Sequence, residues 1–250
     1  YSDSIIYGFS HTHLSGTGVS DYGDILLMPT TGELLLNNGA DGNPGYSSTF
    51  SHENEEATAG YYNVFLENYN VDVELTTSQR AGFHKYTFPK NEAAQVVLDL
   101  EHRDKLLEYH IEWVDSNTLQ GIRYSDNWAR EQKVHFYMQF SKPLQSITFN
   151  EKQSVAGISF GKLQKPLLIK VGISAVSTEG AKTNLQAEIP HWDFDKTKAE
   201  TTNLWEKELS KIIVEGKSEE QKEIFYTALY HSLLNPNLYV DVDGNYNGTD

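Results

Sequence analysis

Between Tyr61 and Ser174 short apolar-rich runs alternate with polar breaks. The runs are Tyr61–Leu66, Val71–Ser78, Ala81–Phe88, Gln95–Leu100, Leu107–Val114, Thr118–Ser125, Lys133–Phe140, Ser146–Phe149, Val155–Phe160 and Leu167–Ser174. Lys133–Phe140 shows the two-residue period of a half-buried strand most clearly: Val134, Phe136 and Met138 share one face, His135, Tyr137 and Gln139 the other. The breaks Asn68–Asn70 and Gln79–Arg80 carry turn-forming or polar residues, which predicts hairpins in a meander. Tyr1–Phe9 also reads as extended. Ten strands with no helical period between them predict a mainly β fold, an antiparallel β-sandwich rather than βαβ units.

After Pro190 the period changes. Leu204, Trp205, Leu209, Ile212 and Ile213 fall on one helical face ended by Gly216. Ser218 followed by Gln221 predicts a capping box, and Ile224, Phe225, Ala228, Leu229 and Leu233 form the stripe of a second helix stopped by Asn235-Pro236. The chain therefore divides into a β-sandwich over 1–190 and two linker helices over 191–236. One apolar face on each helix cannot make a bundle, so the helices must pack on the sandwich or begin a further helical domain.

Composition narrows the function. The 250 residues are 38% hydrophobic and 12% aromatic, enough for a packed core, and no run is long enough to span a bilayer. The formal charge of −15 repels phosphate backbones and argues against nucleic acid as a partner. Zero cysteines remove disulfides, thiolate metal sites and cysteine nucleophiles together.

The densest candidate chemistry is Gly8–Gly18, GFSHTHLSGTG. Its glycines permit close backbone approach, and alternation along an extended segment points His11 and His13 the same way, as a metal or proton-transfer site requires. Ser10, Thr12, Ser15 and Thr17 add hydroxyls suited to a sugar. A glycine-rich turn with satisfied histidines is the competing reading. Asp21 and Asp24 precede the apolar run Ile25–Met28, where acidic residues usually form turns. Ser51–Glu56 reads as a solvated acidic loop, and Glu101-His102-Arg103-Asp104 as an exposed ion-paired loop rather than a glycosidase carboxylate pair. Asp241–Asn247 places oxygen side chains at alternate positions, like a calcium loop, but Tyr246 stands where the loop needs glycine. A turn at Asp243-Gly244 explains that segment with less. Trp113, Trp128, Trp192, Trp205 and the tyrosines offer sugar-stacking surfaces, although sandwich cores consume aromatics too.

Taken in order, GFSHTHLSGTG, DYGDILLMP, SHENEEATAGYYNVFL, VELTTSQRAGFHKYTFP, LDLEHRD and ALYHSLLNPNLYVDVDGNY resemble glycoside hydrolase family 92 from end to end of the chain. The resemblance implies a calcium-dependent, exo-acting α-mannosidase of a mostly bacterial family. Its expected substrates are mannose-containing glycans such as N-glycans, and it removes terminal, α-1,2-linked mannose with inversion. It implies that residues 1–190 are a sandwich lacking its first strands, that 237–250 begin a C-terminal helical barrel, and that this barrel is the sandwich's partner. The acid, the base and the calcium ligands would belong to that barrel. No catalytic or metal residue is therefore assigned in this chain, and 250 residues alone are expected to be inactive. His11, His13, Ser15 and Thr17 are the expected substrate-binding residues, and a periplasmic or cell-surface location follows. A non-catalytic carbohydrate-binding sandwich is the alternative, though such a module needs no linker helices.

Overall fold

The computed structural model describes residues 3–13, 22–216, 218–235 and 237–248. Its strands are β1 (Ile5–Ile6), β2 (Leu26–Thr30), β3 (Ser48–Thr49), β4 (Glu55–Thr58), β5 (Tyr61–Leu66), β6 (Val71–Thr77), β7 (Ala81–Thr87), β8 (Ala93–Asp99), β9 (Lys105–Asp115), β10 (Thr118–Asp126), β11 (Gln132–Phe140), β12 (Ser146–Phe149), β13 (Val155–Lys162) and β14 (Leu167–Ser174). Three helices follow: α1 (Thr178–Glu188), α2 (Phe194–Leu209) and α3 (Glu219–Leu233).

An eight-stranded sheet in the order β4-β5-β6-β7-β14-β11-β10-β9 faces a four-stranded sheet in the order β12-β13-β8-β2, and β1 pairs with β3 beside them. Every pairing is antiparallel. The mainly β sandwich expected from the runs is what forms, and all ten runs are strands. The reason is visible in β11. Val134, Phe136 and Met138 enter the core between the sheets, while Tyr137 emerges on the far side.

That far side is not left to solvent. Tyr61, Ala81, Phe83 and Tyr137 from the large sheet form a second core with Ala181, Leu185, Ile189 and Phe194 from α1 and the start of α2. The helices thus make a third layer, burying alternate residues of the same strands.

The helical segment departs from expectation in three places. α1 lies inside the region expected to be sandwich; its N-cap is Ser177, whose side chain accepts from the Gly180 amide. α2 starts at Phe194 and stops at Leu209, so Ile212 and Ile213 lie beyond it and Gly216 is not its cap. Ser218 does precede α3 but its side chain makes no cap hydrogen bond. The tight β4–β5 turn requires Gly60, with φ +86, because a Cβ there would lie 2.6 Å from the Thr201 methyl of α2.

Candidate functional site

The segment leading into the glycine-rich loop is positioned by pairing. Phe9 exchanges backbone hydrogen bonds with Leu27 (2.8 and 3.0 Å), and the His11 amide donates to the Asp24 carbonyl (2.9 Å). Gly8 sits at φ +145 against the Leu26 side chain, a position only glycine fills. Thr12 locks the segment: its hydroxyl donates to Asp24 Oδ2 (2.5 Å) and accepts from the Asp24 amide (3.0 Å).

Asp24 is itself fully buried and ion-paired to Arg123, which is also fully buried. Arg123 donates further to the Leu100 carbonyl (2.7 Å), the Ser125 hydroxyl (2.9 Å) and the Arg103 carbonyl, and Gln132 donates to Asp24. Burial pushes the Asp24 carboxyl up, and the Arg123 guanidinium and the Thr12 hydroxyl oppose that rise.

His11 and His13 meet different fates. The His11 ring is enclosed, whereas His13 is exposed and its backbone bridges Tyr22, so the two do not act as one pair. The partner of His11 is His84 on β7, Nε2 to Nε2 at 2.9 Å. The protons in this pair are dictated by its ends. The Ile25 carbonyl, 2.6 Å from His11 Nδ1, can only accept, so Nδ1 carries the proton and Nε2 of a neutral His11 is an acceptor. His84 Nε2–H therefore donates to it, and His84 Nδ1 accepts from the Tyr86 hydroxyl at 2.8 Å. The chain runs Tyr86, His84, His11, Ile25, and it needs both rings neutral. Burial enforces this, holding His11 at about 4 and His84 well below the ordinary imidazole range. Ser15 and Thr17 lie outside the described residues.

Beside this pair lies an open cavity of about 790 Å³ at the hairpin ends of β4–β7, bordered on the other side by α3. His11 and His84 line it with Tyr61, Tyr62, Tyr226 and Tyr230, and Arg80 reaches its rim. Its walls offer flat rings and hydrogen-bonding groups, the surface a sugar recognises. Arg80 is not free to meet an anion: it pairs with Glu188 (2.5 Å) and donates to the Val240 carbonyl (2.6 Å).

The acidic groups of the other candidate segments are held by local contacts. Glu101 pairs with Lys152 (2.6 Å) and accepts from Ser154 (2.8 Å), and Asp104 accepts from the Tyr22 amide (3.0 Å) and Asn127 (2.9 Å). Asp243 accepts from the Asn245 amide and side chain at 3.1 and 2.8 Å. The side chains of Asp243 and Asn245 are thus turned on one another and that of Asp241 on Ser174 and Asn184, and among the described residues no three acidic or imidazole groups converge as a calcium ligand set would.

Two antiparallel sheets, a helical third layer and an aromatic cavity between the β4–β7 hairpin ends and α3 define a β-sandwich with helices packed on one face. Residues 1–180 match the glycosyl hydrolase family 92 N-terminal domain and residues 180–250 the glycosyl hydrolase family 92 catalytic domain. The chain belongs to glycosyl hydrolase family 92. It is 34% identical, with a TM-score of 0.91, to a family GH92 alpha-mannosidase of Bacteroides thetaiotaomicron, over 99% of this chain and 37% of that one. That enzyme has also been solved with mannoimidazole. An inverting mannosidase of the family from the same species is 26% identical with a TM-score of 0.85, covering 98% of this chain and 35% of that one. An uncharacterized secreted glycosidase of Arthroderma benhamiae is 22% identical over 94% of this chain and 36% of its own length. The chain thus spans just over a third of the proteins it matches.

Proposed function

We propose that this chain is the N-terminal part of an exo-acting α-mannosidase that removes terminal, α-1,2-linked mannose from glycans with inversion. The observation that carries the reading is the likeness along its whole length to a family GH92 alpha-mannosidase, at 34% identity and a TM-score of 0.91. An inverting hydrolase needs an acid and a base on opposite sides of the scissile bond, ~6.5–9.5 Å apart. Glu101 and Asp104 are occupied by structural hydrogen bonds; in this reading, which follows the family resemblance, the acid, the base and the calcium ligands belong to the helical barrel.

The sandwich's share of the work is to shape and orient. The segment to His11 lines the tyrosine-rich cavity, and in this reading both border the interface with the helical domain. Neutral imidazoles and tyrosine rings there recognise sugar hydroxyls and faces without charge. In this reading His11 acts from within the wall, through the hydrogen-bond chain to His84, and His13, Ser15 and Thr17 are the other substrate-binding residues. With part of its pocket missing the 250-residue chain alone is inactive, because catalysis depends on preorganised geometry. The secreted relative supports export, to the periplasm or the cell surface.

The test is mannose release from an α-1,2-mannobiose by the full-length protein, first with calcium and then with a chelator. Chelator-sensitive release of a terminal mannose, with the anomer inverted by NMR, is expected. Absence of release from α-1,2-, α-1,3- and α-1,6-linked substrates alike would overturn the reading.

A further inference from the structure

Beyond α3 the chain returns to the sandwich and is gripped at three consecutive residues. Arg80 Nε, in the β6–β7 turn, donates to the Val240 carbonyl at 2.6 Å. Asp241 is buried at 6% exposure; its Oδ2 accepts from Ser174 at the end of β14 (2.6 Å) and its Oδ1 from Asn184 Nδ2 on α1 (2.7 Å). The Val242 amide then donates to Asn184 Oδ1 at 2.9 Å. Asn184 is wholly buried and reads both the side chain of one residue and the backbone of the next.

The pocket for the Asp241 carboxylate is built rather than accidental. It lies beside Gly180 in the first turn of α1, where the helix dipole favours an anion. Gly180 in that turn leaves the room: a Cβ there would stand 2.4 Å from Asp241 Oδ2. Arg80 is in turn held by Glu188 at the far end of α1, which also accepts from the Arg80 amide (2.8 Å) and Ser78 (2.6 Å). Directly after the grip the chain reverses, with the Asp241 amide donating to the Asn245 carbonyl (2.8 Å) and the Gly244 amide to the Asp241 carbonyl (2.9 Å).

We infer that Asp241, with Asn184 and Ser174, is a positioning residue: it fixes the segment after α3, within the stretch that matches the catalytic domain, on α1 and on the end of β14, and so sets how the two halves of the active site meet. This rests on the mannosidase reading. A buried carboxylate with both oxygens satisfied by two different elements has one low-energy placement, and a displacement of ~1 Å at such a joint is enough to lower turnover about a hundred-fold. Asp241 touches no substrate in this scheme. Its loss lowers kcat while the pocket that binds the sugar, and hence KM, is largely kept.

The experiment uses the full-length protein with Asp241→Asn, Asn184→Asp, the double exchange Asn184→Asp/Asp241→Asn, and Gly180→Ala. The last crowds the carboxylate without removing any of its partners, and it remains informative if a polar variant fails to fold. Each single change is expected to lower kcat at least about ten-fold with KM within about two-fold. The double exchange restores the amide-to-carboxylate hydrogen bond in the opposite sense but turns a carboxylate on the Ile173 carbonyl, which Asn184 Nδ2 also serves at 2.9 Å, so it is expected to recover part of the lost turnover. Wild-type kcat in Asp241→Asn and Gly180→Ala, or no recovery in the exchange, overturns the inference. If wild-type protein releases no mannose the mannosidase reading falls by itself. The grip is then judged from amide exchange at Val242 and Gly244, which must accelerate at least about ten-fold in Gly180→Ala; unchanged rates overturn it.

Discussion

Arg123 and Asp24 are 99 positions apart in sequence and fully enclosed, so their pairing is affordable only because nearly every polar atom around them is engaged. Asp24→Ala leaves the guanidinium buried without its counter-charge and is expected to lower stability by about 3–5 kcal/mol in urea denaturation. Asp24→Leu with Arg123→Met should lose clearly less than the sum of the two single changes; additive losses would show that the pair is not coupled. The two histidines make a second residue-scale prediction. His11 stays neutral in the folded state down to about 4, against 6.5 in the unfolded chain. The unfolded state therefore takes up the proton first, so this stability is complete above pH 6.5 and is lost as pH falls toward 4. For His11 alone the loss at pH 5 is about 2 kcal/mol, and His84 adds to it in the same direction. His11→Gln, which still donates to the Ile25 carbonyl, should flatten the fall of the urea midpoint between pH 7 and pH 5. An unchanged slope would mean that His11 is protonated in the fold.

At the scale of elements, α1 is pressed onto β14 at Gly172, where a Cβ would stand 2.2 Å from the Ala181 carbonyl oxygen. Gly172→Ala must push the helix off the sheet and is expected to cost about 1–3 kcal/mol, read as a lower thermal midpoint; a neutral effect would mean that α1 slides freely. The same helix shows what the sequence conceals. The ten strands were legible because each buries alternate residues against a neighbouring sheet, which writes a two-residue period directly into the chain. In α1 only Gly180, Ala181, Asn184 and Leu185 are buried, too few apolar residues to register beside a strand ending at Ser174. Its Ser177 cap was the signal available. α2 was overextended because Ile212 and Ile213 continue the apolar spacing although the helix has already stopped at Leu209. The site was half legible for a related reason: GFSHTHLSGTG announces itself locally, but the His84 that completes His11 lies 73 positions away. Alternation suggested that His11 pairs with His13; tertiary pairing instead sets His84 beside His11 and leaves His13 exposed.

The molecule as a whole grades from a doubly covered sheet to helices with little cover. β14 and β11 lie at the centre of the large sheet with the small sheet on one face and α1 on the other, whereas α3 has no buried residue. α3 is held to the rest chiefly by the Trp205–Tyr230 ring contact, centroids 4.7 Å apart, and by Tyr226, whose hydroxyl donates to the Ile212 carbonyl at 3.1 Å. Around it Leu204, Ile213, Ile224 and Tyr239 are more than half exposed, an apolar surface that water does not favour. Local stability follows the contacts, so amide exchange in the 250-residue chain should be slow in β11 and β14 and fast throughout Glu219–Leu233. Trp205→Ala should lower helicity by circular dichroism while leaving the urea midpoint of the sandwich within about 0.5 kcal/mol. In the full-length protein, where the helical domain is expected to cover this surface, the same α3 amides should be protected. Fast exchange of α3 in both forms would mean that its apolar face meets no partner, and the joint between sandwich and catalytic domain would then have to rest on the Asp241 grip alone.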